Sequence, residues 1–128
     1  MTPRLVVRRA AEADIADAAL WYEQRAPGLG AEFLRAADVT LAEVARMPER
    51  FPAVYRESRR ALLRRFPYAI YFVATSAQVS VIACMHARRD PRMWEERVGA
   101  SNKQFEQTGR QAVLGSNRGW AGSSTAPR

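Results

Sequence analysis

The hydrophobic pattern of the chain changes near residue 50. Before that point apolar residues recur every three or four positions, as on one helix face, and after it they form strand-like runs rich in Val, Ile, Tyr and Phe. A short strand is predicted at residues 4–9, RLVVRR, before the helical part. The expected fold class is α+β: an N-terminal strand, an antiparallel helix hairpin packed on one face of a small, mainly antiparallel sheet, and a short C-terminal helix.

The helical part contains two amphipathic segments, one at residues 10–26 and one that begins at Leu29 and ends before Pro48. Their apolar stripes comprise Ala11, Ile15, Ala18 and Tyr22 in the first and Leu29, Phe33, Ala37, Leu41 and Val44 in the second. The short Pro-Gly-Leu-Gly connection at residues 27–30 predicts that the two helices pack as an antiparallel hairpin. Trp21 and Tyr22 are expected to close this hairpin onto the core.

Three strands are predicted after the hairpin, at residues 54–65, 68–75 and 78–86. The second is apolar on both faces, which indicates a central position in the sheet. Alternation in the third places Val79, Val81, Ala83 and Met85 on one face and Ser80, Ile82, Cys84 and His86 on the other.

The C-terminal part is predicted to be a short helix followed by a tail. Asp90 suits the N-cap and Pro91 the first helical position, and Trp94 is expected to anchor this helix on the sheet. From residue 99 onward Gly, Ser, Asn and Gln dominate without an apolar period. We therefore predict one domain at residues 1–98 and a disordered, basic, Gly/Ser-rich tail at residues 99–128.

The charge distribution indicates an acidic or polyanionic partner. The net charge is +7, and 19 of the 20 basic residues are arginines. Basic residues number six against seven acids in residues 1–47, ten against five in residues 48–98, and four against one in residues 99–128. Such asymmetry is typical of proteins that bind nucleic acid or an acidic protein segment.

The residue types present argue against several kinds of site. One cysteine, Cys84, and one histidine, His86, cannot form an internal disulfide or a Cys/His metal set. The sequence has no phosphate-binding Gly-rich loop and no G-x-S-x-G motif. It also lacks a signal-peptide pattern and the roughly 20 consecutive apolar residues of a membrane helix. We expect a cytoplasmic protein without a metal or cofactor.

Two basic clusters are the strongest functional signal. Five arginines lie between residues 56 and 65, and four more lie between residues 88 and 97. On neighbouring strands they would form an Arg-lined surface. Arginines at both odd and even positions of a strand cannot all share one face. The alternative is a solvated sheet edge that charge protects against aggregation. His86 is then either a contact residue or a strand-end histidine bonded to the backbone.

Four segments of the chain, in this order, resemble the RelE/ParE superfamily of type II toxin–antitoxin toxins, also described as plasmid-stabilisation proteins. They are DIADAALWYEQRAPGLGAEFL (14–34), MPERFPAV (47–54), RRALLRRFPYAIYF (59–72) and HARRDPRMWEER (86–97). The resemblance covers about residues 4–98. It implies a small toxin domain that a cognate antitoxin neutralises in a hetero-oligomer. RelE-like members cut messenger RNA on the ribosome, and ParE-like members inhibit DNA gyrase.

The resemblance favours the ParE-like branch. RelE-like ribonucleases carry an arginine just before the aromatic part of the central strand, where this chain has Tyr68, and the nearest arginine, Arg65, lies three residues earlier. The ribonuclease alternative would use Arg65, His86, Arg88 and Arg89. A second alternative is a non-toxic interaction or autoregulatory module. We therefore predict gyrase as the target and a protein that binds rather than catalyses.

Contacts with the target or the antitoxin are predicted for nine residues drawn from the two basic clusters and their surroundings. They are Arg60, Arg64, Arg65, Tyr68, His86, Arg88, Arg89, Trp94 and Arg97. No catalytic, cofactor-binding or metal-binding residue is assigned.

Overall fold

The computed structural model describes residues 4–89 and 91–98 in full and residues 99–104 and 110–111 by their backbone. Its elements are β1 (Arg4–Val7), α1 (Arg9–Arg25), α2 (Leu29–Arg46), β2 (Ala53–Tyr55), β3 (Ser58–Leu62), β4 (Tyr68–Ala74), β5 (Gln78–His86), α3 (Arg92–Gln104) and the two-residue strand β6 (Arg110–Gln111). A 3-10 turn at Pro48–Arg50 precedes β2. The predicted α+β fold is confirmed.

The strands form one mixed sheet in the order β2-β3-β4-β5-β1-β6. The pairs β2–β3, β3–β4 and β4–β5 are antiparallel, whereas β1 runs parallel to β5. The strand β4 has a neighbour on each side, as its two apolar faces predict.

Helices cover both faces of the sheet. The hairpin of α1 and α2 buries the larger core cluster, in which the predicted α2 stripe packs against strand residues of the sheet. The strand residues of that cluster include Ala61, Ile70, Phe72, Val79 and Val81. On the opposite face Trp94 and Val98 of α3 pack in a smaller cluster with Ala69, Tyr71, Ile82, Ala83 and Met85. The molecule therefore has three layers, with the sheet in the middle.

The turn between α1 and α2 depends on two glycines and one glutamate. Gly28 has a φ of +89°, in the left-handed region that glycine adopts most readily. The Glu23 carboxylate accepts hydrogen bonds from the N–H groups of Gly28 and Gly30 at 3.1 and 3.0 Å, which satisfies amides at the start of α2. A Cβ on Gly30 would lie 2.6 Å from the Ala19 carbonyl oxygen. Glycine at position 30 therefore lets the helices approach closely.

The predicted single strand at residues 54–65 is wrong, because a tight turn divides it into β2 and β3. Arg56 occupies this turn with a left-handed φ of 53°. In β3, Arg60 pairs across the ladder with Tyr71, which belongs to the cluster under α3. Arg59 precedes it by one position and points to the hairpin face. The arginines of β3 are thus divided between the two faces.

The predicted face assignment is wrong in the second half of β5, because the strand contains a β-bulge. Val81 and Ala83 pair with consecutive residues of β4, so Ile82 is an extra residue in the ladder. The faces exchange at this point: Val79, Val81 and Cys84 belong to the hairpin cluster, and Ala83 and Met85 belong to the cluster under α3. By its spacing from Cys84, His86 lies on the hairpin side.

Trp21 does not close the hairpin onto the core as predicted, since 46% of the residue is exposed. Its neighbour Tyr22 does pack against the core. Successive residues of a helix point roughly 100° apart, so the core takes Tyr22 and leaves Trp21 at the surface.

The helix α3 runs past residue 98 to Gln104. The predicted N-cap residue Asp90 and most of the predicted tail lie outside the described residues. Within the described part of the chain, every helix is too short or too polar to cross a membrane.

Candidate functional site

Four rings meet where β4 begins and β5 ends. Tyr68 and His86 are cross-strand partners, and their ring centroids are 5.5 Å apart. Phe33 of α2 and Tyr22 of α1 approach the Tyr68 ring at 5.2 and 6.0 Å. Edge-to-face contacts of this kind add to the stabilisation that burial alone gives. The helix hairpin thus holds Tyr68, and Tyr68 in turn supports His86.

The backbone after β5 fixes the His86 ring. The Nδ1 atom accepts a hydrogen bond from the N–H of Arg88 at 3.1 Å, and the His86 carbonyl accepts one from Arg89 at 2.9 Å. The N–H of Ala87 donates to the Pro67 carbonyl at 2.8 Å, which ties this turn to the loop before β4. A neutral ring therefore carries its hydrogen on Nε2, the atom left for a ligand. The backbone-bonded histidine considered from the sequence is confirmed.

Arg88 and Arg89 are exposed immediately after His86, so they bring positive charge to this end of the sheet. Burial raises the pKa of the Tyr68 hydroxyl. The neighbouring Tyr22 and Cys84 raise this pKa further, and the charge of Arg89 lowers it. The phenol of Tyr68 consequently stays protonated at neutral pH, where its hydroxyl is a hydrogen-bond donor.

Arg64 and Arg65 lie in the loop between β3 and β4, on the side of α2. Arg65 pairs with Glu32 at 2.9 Å and Arg64 with Glu43 at 3.4 Å, while the arginine side chains remain 73% and 77% exposed. Such exposed pairs add little stability but offset part of the positive charge. A neighbouring cleft of about 340 Å³ is lined by Glu32, Arg35, Ala36, Val39, Arg64, Arg65 and Phe66.

Arg60 and Trp94 lie on the opposite face of the sheet, away from His86. The indole of Trp94 stacks on the Tyr71 ring at 4.3 Å and is only 5% exposed. Burial raises the pKa of the Tyr71 hydroxyl, and a hydrogen bond from Arg60 acts in the opposite direction. Trp94 therefore anchors α3, as the sequence predicts, and contact with a partner stays a prediction for both residues.

Arg97 forms an internal ion pair with Asp14 beyond the end of β1. Because β1 pairs with β5 only as far as Val81, the next backbone groups at that edge need other partners. Arg97 donates to the Ile82 carbonyl at 3.1 Å and to Asp14 at 2.7 Å, and Asp14 also accepts a hydrogen bond from the Cys84 N–H at 3.0 Å. The Arg97–Asp14 pair thus bonds the backbone groups of β5 that lie beyond the end of β1. A contact of Arg97 with a partner stays a prediction.

Two exposed residues of α1 extend the ring cluster and were missed by the sequence prediction. The ring of Trp21 contacts Tyr22 edge-on, with centroids 5.0 Å apart. The Arg25 guanidinium lies 3.9 Å over the Trp21 ring. The signal that could have revealed this pair is its i,i+4 spacing, which places both side chains on one helix face.

The Cys84 thiol is buried, and burial together with Asp14 raises its pKa, so it is a poor nucleophile. Among the described residues no group of three His, Cys, Asp or Glu side chains could hold a metal ion.

Comparison with solved structures supports the observed architecture. A chain of the chromosomal ParDE TA (toxin–antitoxin) system from P. aeruginosa superposes with a TM-score of 0.57 at 16% sequence identity. The match covers 66% of this chain and 96% of that one. The two chains share a fold. No protein-family model matches this chain, and no curated protein is significantly similar to it in sequence.

Proposed function

We propose that this protein is a ParE-like toxin of a type II toxin–antitoxin system, which acts on DNA gyrase in the cytoplasm and is held inactive by a cognate antitoxin. The observation that carries the proposal is the fold shared with a chain of the ParDE TA system over nearly all of that chain. The four sequence segments that resemble the RelE/ParE superfamily agree with it.

The position of Arg65 favours gyrase over messenger RNA as the target. The first residue of β4 is Tyr68, where the ribonucleases of the superfamily are expected to place an arginine. Arg65 lies before that strand, in a loop, and pairs with Glu32. A phosphate-binding group in a ribonuclease needs a fixed position beside the bond that is cleaved.

The cleft beside α2 suits an acidic, amphipathic segment of the antitoxin. Its apolar part includes Val39, which is 49% exposed, and Phe66, and its rim carries Arg35, Arg64 and Arg65. The apolar face of an antitoxin helix would cover Val39 and Phe66. Acidic residues of the same helix would replace Glu32 and Glu43 as partners of the arginines.

Controlled expression tests the proposed toxicity and its target. We expect growth arrest with a DNA-damage response, and inhibition of supercoiling when the purified protein is added to gyrase. Replacement of Arg89 by Gln should weaken that inhibition about tenfold, as for a charged residue at the centre of an interface. The matched variant Arg46→Gln, which removes an exposed arginine from the far end of α2, should retain it. Growth arrest with normal DNA topology and rapid loss of messenger RNA would contradict the proposal.

A RelE-type ribonuclease is the second candidate, because His86, Tyr68 and Arg89 meet at one end of the sheet. An imidazole and a phenol can transfer protons, and an arginine can hold a phosphate. Primer extension on translated messages should then show codon-phased cuts that disappear in His86→Ala. The same variant should leave gyrase inhibition nearly unchanged, so this histidine discriminates between the two functions.

A further inference from the structure

The end of α1 and the end of β5 form a continuous surface of rings, which we call the aromatic strip. It consists of Trp21, Tyr22, Tyr68 and His86, whose successive ring centroids are 5.0, 6.0 and 5.5 Å apart. Trp21 is 46% exposed, and the other three are half-buried. Successive rings meet edge-to-face, at interplanar angles of 65° to 90°, and the strip places aromatic groups at the surface.

Arginines lie at both ends of the aromatic strip. The Arg25 guanidinium lies over the Trp21 ring at 3.9 Å, and Arg88 and Arg89 are exposed next to His86. The acids nearby on α1 are Asp17, one turn before Trp21, and Glu23. The Glu23 carboxylate already accepts hydrogen bonds from two backbone amides of the α1–α2 turn. The surroundings of the strip are therefore positively charged.

We infer that the aromatic strip binds single-stranded nucleic acid. Bases stack on the rings of Trp21 and Tyr68, and Arg25, Arg88 and Arg89 contact the phosphates. Exposed rings beside arginines are the combination by which proteins bind single strands without reading their sequence. This activity goes beyond the proposed toxin function and does not depend on it.

The rings and arginines of the strip favour a nucleic acid over an acidic peptide. An amphipathic peptide needs a groove for its apolar side chains, and the chain has such a groove elsewhere, in the cleft lined by Val39 and Phe66. Flat rings flanked by guanidinium groups fit planar bases joined by phosphates. The two surfaces therefore suit ligands of different chemistry.

Fluorescence anisotropy with labelled oligo-dT and oligo-rU tests this inference on the purified full-length chain. Both probes should bind, and binding should weaken as the salt concentration rises. Trp21→Leu should weaken it about tenfold, because one stacking platform is lost. Trp21→Phe should keep most of the affinity, because it keeps a ring. Since Trp21 is exposed, circular dichroism should show that both variants are folded.

A pair of arginine variants separates stacking from general charge attraction. Arg25→Gln and Arg35→Gln each remove one exposed positive charge, but only Arg25 lies on the Trp21 ring. We expect Arg25→Gln to weaken binding about fivefold, because it removes a phosphate contact beside the Trp21 ring, and Arg35→Gln to weaken it less than about twofold.

Four results would overturn the inference. One is the absence of binding to either probe. Another is equal weakening by the two arginine variants with no effect of Trp21→Leu, which would mean that charge alone attracts the probes. A third is equally tight binding of a duplex of the same length, because paired bases cannot stack on the strip. The fourth is a polyglutamate peptide that binds as tightly and with the same dependence on Trp21, which would assign the strip to a protein partner.

Discussion

The two faces of the sheet are covered by helices in different ways. On the hairpin face a large core cluster runs from β1 across β5 and β4 to β3 and includes the fully buried rings of Phe33 and Phe72. On the other face α3 rests on a smaller cluster around Trp94 and on the ion pair of Arg97. Tyr68 belongs to the edge of the larger cluster. The candidate site therefore stands on the more extensively packed layer, whereas α3 depends on a few contacts.

The largest effect should come from the hairpin face. Phe33 is completely buried and contacts the rings of Tyr22, Phe66 and Tyr68 at 5.2 to 5.4 Å. Phe33→Ala should lower the free energy of unfolding by about 3–5 kcal/mol, since it leaves a cavity under the site. Urea denaturation followed by circular dichroism measures this loss, with the exposed Leu62→Ala as control. A loss as small as that of the control would contradict the importance given to the hairpin face.

The ion pair of α3 should have a smaller effect. Arg97→Met removes the guanidinium from the Ile82 carbonyl and from the Asp14 carboxylate, which keeps only the hydrogen bond from the Cys84 N–H. Because both side chains are partly exposed, we expect a loss of about 2 kcal/mol rather than that of a fully buried pair. Hydrogen exchange should quicken in α3 before the hairpin. Equal acceleration in both helical layers would show that α3 is not held separately.

Asp38 makes the stability of the hairpin layer depend on pH. Its Oδ1 atom is buried and has no hydrogen-bond partner among the described residues, and burial raises the pKa of this carboxyl from 3.8 to about 6. The protonated form therefore favours folding below pH 4, and this contribution is lost as the pH rises through 6. Asp38→Asn should be more stable than the natural protein by about 1 kcal/mol at pH 8, allowing for partial solvation.

The difference between Asp38→Asn and the natural protein should shrink toward pH 4. Thermal unfolding of both proteins across this pH range measures the difference in stability. Because the other titrating groups are the same in both proteins, their contributions cancel in the difference. A difference that stays constant with pH would mean that Asp38 keeps an ordinary pKa in the folded protein.

The exposed ion pair of the β3–β4 loop should have the smallest effect. Arg64 and Glu43 are 3.4 Å apart, with 77% of the arginine side chain exposed. Arg64→Gln should change the free energy of unfolding by less than about 0.5 kcal/mol. Thermal melts of this variant and of Arg97→Met compare an exposed ion pair with a partly buried one. Equal losses of stability in the two variants would mean that burial does not strengthen the Arg97 ion pair.

Helical periodicity was the most dependable guide to the fold. The stripe of α2 is buried at Phe33, Ala37, Leu41 and Val44 as predicted, because a helix allows little change of phase along its length. Strand alternation failed in β5, since one extra residue at Ile82 exchanges the two faces. No residue type in that stretch signals a bulge.

The candidate site could be predicted only in part. The position of His86 at a strand end follows from alternation and is confirmed. The contact of its cross-strand partner Tyr68 with Tyr22 depends on how the hairpin lies on the sheet, which local patterns do not encode. The partnership of Arg97 with Asp14 likewise joins residues far apart in the sequence. Such pairs arise from tertiary packing, and the spacing of residues along the chain does not predict them.

The parallel pairing of β1 with β5 has a consequence for the order of folding. The hairpin uses contacts between residues close in sequence, such as Glu23 and Gly28, so it can form as soon as both helices have left the ribosome. The strand β1 is synthesised before the hairpin but pairs with Gln78 to Val81, which are made after both helices. We therefore expect β1 to join the sheet only after β5 has paired with β4. A nascent chain arrested before β5 should already contain helix and should not yet protect the amides of its first strand.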